Sequence, residues 1–151
     1  MKAVVQRVTS AKVETGGKVS GAIGTGLLVL LGIEPDDTCD DCGYIVKKCT
    51  NLRIFEDDNG KMNLSVLDKG GSILLVSQFT LLGDARHGNR PSFTGAAVPE
   101  IAIPLYERVI ADMRRILPTE TGIFGADMQV SLVNDGPVTI CVLYTSPSPR
   151  D

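Results

Sequence analysis

Polar and apolar positions alternate at the start of the chain. Residues 2–13 are valine-rich with a period of two, the pattern of a strand with one buried face. Gly16-Gly17 offers a tight turn into residues 18–23, which predicts a hairpin. Gly24 and Gly26 interrupt the chain before the apolar run 27–33, so the first third predicts three strands in meander order. The period then changes. Cys42, Ile45, Val46 and Cys49 fall at i, i+3, i+4 and i+7, one apolar stripe of a helix over 38–50 that Asp36, Asp37 or Thr38 can cap. Residues 53–55 and 61–64 flank Asp57-Asp58-Asn59-Gly60, whose Asn-Gly pair predicts a second hairpin.

Beyond Lys69-Gly70-Gly71, residues 72–82 are apolar and β-branched and predict a strand buried on both faces, ending in polar Ser77-Gln78-Phe79-Thr80. A long loop, 83–95, precedes a helix over 99–117. Its predicted inward face is Leu105, Val109, Asp112/Met113 and Ile116, with Pro104 delaying the regular start. Residues 122–126 read as a turn, and 128–134 and 138–144 as two strands around Asp135-Gly136-Pro137. The expected class is α+β, mostly antiparallel β-sheets packed with two main helices.

At 151 residues the chain has the length of one domain, expected over 1–142. From Leu143 the string Leu-Tyr-Thr-Ser-Pro-Ser-Pro-Arg-Asp places two prolines where a strand should finish, and 143–151 is read as a non-native tail, a translated library adapter. With 43% hydrophobic and 22% charged residues the composition is that of a globular protein. The apolar run 27–33 is too short to cross a bilayer and the N-terminus reads as a strand, so a cytoplasmic location without membrane contact is expected. A net charge of −3 excludes nucleic-acid binding through a broad basic surface, and no DNA partner is expected. Contact with RNA must be local, for which Arg86, His87 and Arg90 in one loop are available, while Arg114 and Arg115 read as solvated charges closing a helix.

Cys39-Asp-Asp-Cys42, with Cys49 seven residues later, has the spacing of a redox or zinc motif. The helical stripe makes Cys42 and Cys49 small core hydrophobes instead. The single histidine, His87, is distant, so no metal and no cofactor is expected. A Ser-His-Asp triad, a Gly-x-Ser-x-Gly elbow, a phosphate loop and His-Glu-x-x-His are all missing from the sequence. Two polar islands remain. Ser77-Gln78-Phe79-Thr80 breaks a buried strand with two hydroxyls and an amide, which are either structural hydrogen-bonders or a site. Asn134-Asp135-Gly136-Pro137-Val138-Thr139, taken alone, reads as a β-turn.

Together these islands resemble the paired signature of the D-aminoacyl-tRNA deacylase family. The similarity extends to Ala3-Val4-Val5-Gln6-Arg7-Val8, Lys61-Met62-Asn63-Leu64-Ser65, Arg90-Pro91-Ser92-Phe93 and Phe124-Gly125-Ala126-Asp127-Met128, and covers about residues 1–142. The resemblance implies a half-barrel fold and a homodimer with active sites at the subunit interface. The implied activity is hydrolysis of the ester joining a D-amino acid, or glycine, to the 3′ end of tRNA. It implies that Gly136-Pro137, joined by a cis peptide, enters the partner's pocket and rejects L-amino acids, with Arg7 bracing that loop and Asn134 holding the turn. Ser77, Gln78 and Phe79 are implied to surround the substrate, the Phe79 N–H being the oxyanion donor. Thr80 is counted with them among the expected catalytic residues, although it lacks the adjacent base a nucleophile needs, and the tRNA 2′-hydroxyl is implied to help activate water. Arg86 and Arg90 are the expected tRNA contacts, although relatives carry lysine where His87 stands. Two other readings are a thiol redox protein built on Cys39 and Cys42, and a tRNA-end binding module without turnover.

Overall fold

The computed structural model describes residues 1–144. Eight strands and two helices follow in the order β1 (Lys2–Thr15), β2 (Lys18–Ile23), β3 (Gly26–Gly32), α1 (Cys39–Asn51), β4 (Phe55–Glu56), β5 (Met62–Leu64), β6 (Ser72–Ser77), α2 (Pro99–Arg114), β7 (Thr119–Thr121) and β8 (Gln129–Leu143). A single 3-10 turn, Phe79–Leu82, follows β6. The small β4–β5 hairpin stands apart from a six-stranded sheet.

That sheet is mixed: three of its five pairings are antiparallel, the majority expected, and two are parallel. β1 pairs antiparallel with β2, β3 and β8, so β3 lies beside β1 and the expected meander of the first three strands is corrected. β3–β6 and β6–β7 are parallel, because each of those connections passes through a helix before returning to the sheet. β7 is only Thr-Glu-Thr, too short to give a periodic signal. The sheet curls until its edges nearly meet. At Gly21 of β2 a Cβ would lie 2.7 Å from the Thr121 carbonyl oxygen of β7, so only glycine permits that approach.

The curl explains why β3 and β6 are apolar on both faces. Leu27, Val29 and Leu31 with Ile73 and Leu75 join the core beneath the helices, while Leu28, Leu74 and Val76 join Val8, Ala11 and Val13 in the interior of the curl. Alternation is present in direction but hidden in composition. Each fully buried Leu or Ile contributes roughly 1.5–3 kcal/mol relative to exposure.

Both helices cover the same face. Thr38 caps α1, its hydroxyl accepting from the Asp40 N–H while the Asp41 carboxylate accepts from the Thr38 N–H at 2.6 Å. Cys42, Ile45, Val46 and Cys49 are its buried stripe. α2 buries Ala102, Tyr106, Val109 and Met113, so Val109 and Met113 of the expected face point inward and Leu105, Asp112 and Ile116 are not buried. Leu105 is half-buried, Ile116 is 44% exposed, and half-buried Asp112 pairs with Arg108 and Arg115. The helix begins at Pro99, so Pro104 lies inside it and does not delay its start.

Leu143 closes β8 opposite Lys2, and the Tyr144 N–H donates to the Met1 carbonyl at 3.1 Å. The remainder of the expected tail, 145–151, lies outside the described residues. Among the described residues no helix is long and apolar enough to cross a membrane.

Candidate functional site

β6 ends where its parallel partner ends. Ser77 is in register with Leu31, and the Gln78 N–H makes a last bond of 2.8 Å to the Leu31 carbonyl before the chain turns into the 3-10 segment. The strand expected over 72–82 therefore stops at Ser77, and Phe79, Thr80, Leu81 and Leu82 form a tight turn. The first N–H groups of such a turn have no internal acceptor. Among the described residues the Phe79 N–H makes no backbone bond, which leaves it available to a ligand oxygen.

Ser77, Gln78 and Phe79 line a cavity of about 230 Å³. Phe124, Gly125, Ala126, Met128 and Val130 also line it, with Ala97 just before α2 and Ala102 within its first turn. The Phe79 ring is 59% exposed and meets Phe93 edge-on at a centroid separation of 5.2 Å. The Gln78 side-chain amide donates to the Thr80 hydroxyl, and Thr80 itself is exposed and does not line the cavity. The Tyr106 hydroxyl donates at 3.0 Å to the Leu75 carbonyl, two residues before Ser77, and its ring lies 5.7 Å from that of Phe124. Burial pushes the Tyr106 hydroxyl up to about 12, so it stays protonated as a donor. Neither Tyr106 nor the 124–126 wall was expected at the site. For that wall the signal is the family-like segment Phe124-Gly125-Ala126-Asp127-Met128, which by itself assigns no role.

The second island lies elsewhere. Gln6 is in register with Thr139 and Val8 with Asn134, so two steps along β1 match five along β8. Residues 135–138 are thus a large bulge in one strand and not the tip of a hairpin, since both flanks pair with β1. Arg7, 5% exposed, fills the gap beneath. Its Nε donates to the Asp135 carbonyl at 2.8 Å and its Nη1 to the Ile54 carbonyl at 2.7 Å, while the Asp135 carboxylate lies 3.7 Å from Nε. Asn134 clips the base of the bulge, accepting from the Val138 N–H at 2.7 Å and donating to the Thr139 hydroxyl at 3.0 Å. Gly136 has φ +145°, and a Cβ there would lie 2.7 Å from Val138 Cγ2. The Gly136–Pro137 peptide is cis. Gly136 and Pro137 are exposed and do not line the cavity that holds Ser77, Gln78 and Phe79.

Arg86 and Arg90 sit in a loop whose ends are joined by mutual backbone bonds between Asp84 and Ser92. Arg86 forms a fork-to-fork pair with Asp84 at 2.9 and 2.7 Å, and its hydrogen bonds hold that carboxyl down at about 2. Arg90 is exposed and has no ion pair among the described residues. Cys42 and Cys49 are buried, and desolvation pushes both thiols up to about 12. Among the described residues no group of three or more His, Cys, Asp or Glu side chains is placed to hold a metal ion.

A family model described as D-Tyr-tRNA(Tyr) deacylase matches residues 4–143. A solved structure named c-Myc DNA Unwinding Element Binding Protein is 46% identical, with a TM-score of 0.91, the match covering 97% of this chain and 100% of that one. Another, named a probable eukaryotic D-amino acid tRNA deacylase, shares the fold at 17% identity with a TM-score of 0.80, covering 93% of this chain and 97% of its own.

Proposed function

Because the chain belongs to the D-Tyr-tRNA(Tyr) deacylase family, we propose that this hydrolase works as a homodimer in which Gly136-Pro137 of one subunit completes the cavity of the other. The substrates are D-aminoacyl-tRNA and glycyl-tRNA, and the products are free amino acid and tRNA. The observation that carries the reading is the separation of the two islands. Ser77, Gln78 and Phe79 line a cavity that Gly136 and Pro137 of the same chain do not line, and in this reading the braced 135–138 bulge acts in the cavity of a second copy. The exposed apolar side chains of Val130, Leu132 and Val133 on the outer strand β8 support such a contact.

In this reading the ester carbonyl faces the Phe79 N–H, which stabilises the oxyanion as water adds to the carbonyl carbon. The neighbouring 2′-hydroxyl of the terminal adenosine helps activate that water, and the 3′ oxygen departs with a proton. Catalysis is positioning plus electrostatics, so no side-chain nucleophile is required. Carbonyl oxygens of the inserted bulge leave room for a hydrogen but not for an L side chain, so handedness is selected by exclusion and glycine passes. The domain is residues 1–142 with 143–151 as the non-native tail, no cofactor takes part, Arg90 is the freer of the two loop arginines for tRNA, and the enzyme acts in the cytoplasm. No DNA role is proposed, because a net charge of −3 opposes broad phosphate binding.

The test is to incubate the protein with D-tyrosyl-, L-tyrosyl- and glycyl-tRNA. Release from the first and third only, undiminished by a chelator, is expected; equal release from D- and L-tyrosyl-tRNA removes the exclusion argument.

A further inference from the structure

Tyr44, Lys47, Lys48 and Asn51 stand at i, i+3, i+4 and i+7 on α1 and so share one helix face. With Leu52 and Arg53 they line a surface groove of about 390 Å³, separate from the cavity at β6. Its chemistry is cationic over an aromatic floor. Lys47, Lys48 and Arg53 are exposed, and none of them makes an ion pair among the described residues. Lys48 Nζ lies 5.4 Å from the centre of the Tyr44 ring. Favourable interaction with the C-terminal end of α1 accounts for Lys48 alone, whereas Arg53 lies past the helix, where its Nε donates to the Asn63 carbonyl at 3.0 Å and the guanidinium makes no ion pair among the described residues. Three unpaired cations in one groove, on a chain of net charge −3, mark a place for a polyanion with spaced charges.

The position of the groove identifies that polyanion. Directly after Arg53, the Ile54 carbonyl accepts from Arg7 Nη1 at 2.7 Å, and the same guanidinium holds the Asp135 carbonyl at 2.8 Å. One side chain thus ties the groove's edge to the 135–138 bulge. We propose that the groove holds backbone phosphates of the acceptor stem of the aminoacyl-tRNA whose 3′ end occupies the partner subunit's pocket. This rests on the cross-subunit reading above, which places the bulge of one subunit beside the substrate of the other. The RNA leaving that pocket then runs over the subunit that donates the bulge. Contacts of this kind set register and affinity without reading sequence.

Steady-state hydrolysis by the full chain tests this, comparing D-tyrosyl-tRNA with D-tyrosyl-adenosine, which has the ester but no stem. The triple variant K47Q/K48Q/R53Q is expected to raise KM for the tRNA about tenfold with kcat unchanged, and to flatten the log–log salt dependence of kcat/KM by about two units. Hydrolysis of D-tyrosyl-adenosine is expected to be unchanged, and K47R/K48R to behave as the parent. An unchanged KM for tRNA, or an equal loss on both substrates, overturns the groove. Titration of uncharged tRNA by fluorescence anisotropy separates this from the catalytic reading. Equal affinity of parent and triple variant sinks the groove, whereas a parent that binds tRNA through these cations but releases no D-amino acid sinks only the proposed reaction.

Discussion

Arg7 and Asp135 are separated by 128 positions in the sequence, yet Arg7 Nε donates to the Asp135 carbonyl over 2.8 Å from a nearly buried guanidinium. The same group reaches the Ile54 carbonyl, so two backbone segments remote in sequence share one side chain. Replacing it affects fold and site together.

Arg7→Ala removes two hydrogen bonds from a charged donor, each contributing about 1.5–3 kcal/mol. A stability loss of about 3 kcal/mol is expected in urea unfolding, with kcat/KM for D-tyrosyl-tRNA falling at least about tenfold. Arg7→Lys should recover only part of both, because an ammonium lacks the planar fork that serves two carbonyls. Parental behaviour of Arg7→Lys would show that one contact suffices.

Gly136→Ala places a methyl group 2.7 Å from Val138 Cγ2 and 2.9 Å from the Val138 nitrogen, at a positive φ that disfavours side chains. The bulge must shift, and D-over-L selectivity or activity should fall by about tenfold or more. Unchanged selectivity would place the chiral check elsewhere.

Thr80→Ala should leave kcat within about threefold of the parent, since the hydroxyl lies outside the cavity and only receives the Gln78 amide. Abolished turnover with an intact fold by circular dichroism would restore Thr80 as a nucleophile.

Mixed dimers test the cross-subunit site. A Phe79→Pro chain, which lacks the backbone N–H at that position, and a Gly136→Ala chain, each impaired alone, should regain activity when unfolded and refolded together. One of the two interfacial sites then receives an intact cavity and an intact bulge. No recovery despite verified heterodimers contradicts the exchange.

Alkylation in the native state should modify Cys39 and Cys141 quickly and Cys42 and Cys49 slowly. Burial raises the latter two from an ordinary 9.0 to about 12, so the folded chain keeps protons that the unfolded chain loses. Their contribution is complete below about pH 9 and is lost as pH rises from there toward 12. Urea midpoints between pH 8 and 11 should therefore decline, and less steeply in Cys49→Ala. Equal slopes would assign the decline to other groups.

Local patterns were legible where one element decides its own structure. The α1 stripe, the turns at Gly16-Gly17 and Asn59-Gly60, and the apolar run of β3 all follow from spacing and turn chemistry. Partners were not legible. The two halves of β8 looked like a hairpin because Asp-Gly-Pro is turn material, but both halves pair with β1 and leave Asp135, Gly136, Pro137 and Val138 as a bulge. β6 was read too long because nothing local reveals that its partner stops at Gly32. Tyr106 was passed over because its hydroxyl has meaning only beside Leu75, a residue on another element. The two polar islands stood out as motifs, yet their separation within one chain emerges only in three dimensions.

The bulge in β8 is fastened on both sides, with register to β1 resuming at Asn134 before it and Thr139 after it. An edge held in this way cannot swing aside without unzipping a strand, so it serves as a stationary gauge and not as a door. On the proposed function, discrimination between mirror-image substrates takes place at entry and requires no closing motion. Single-turnover traces should then begin without a lag, and the preference should depend little on solvent viscosity.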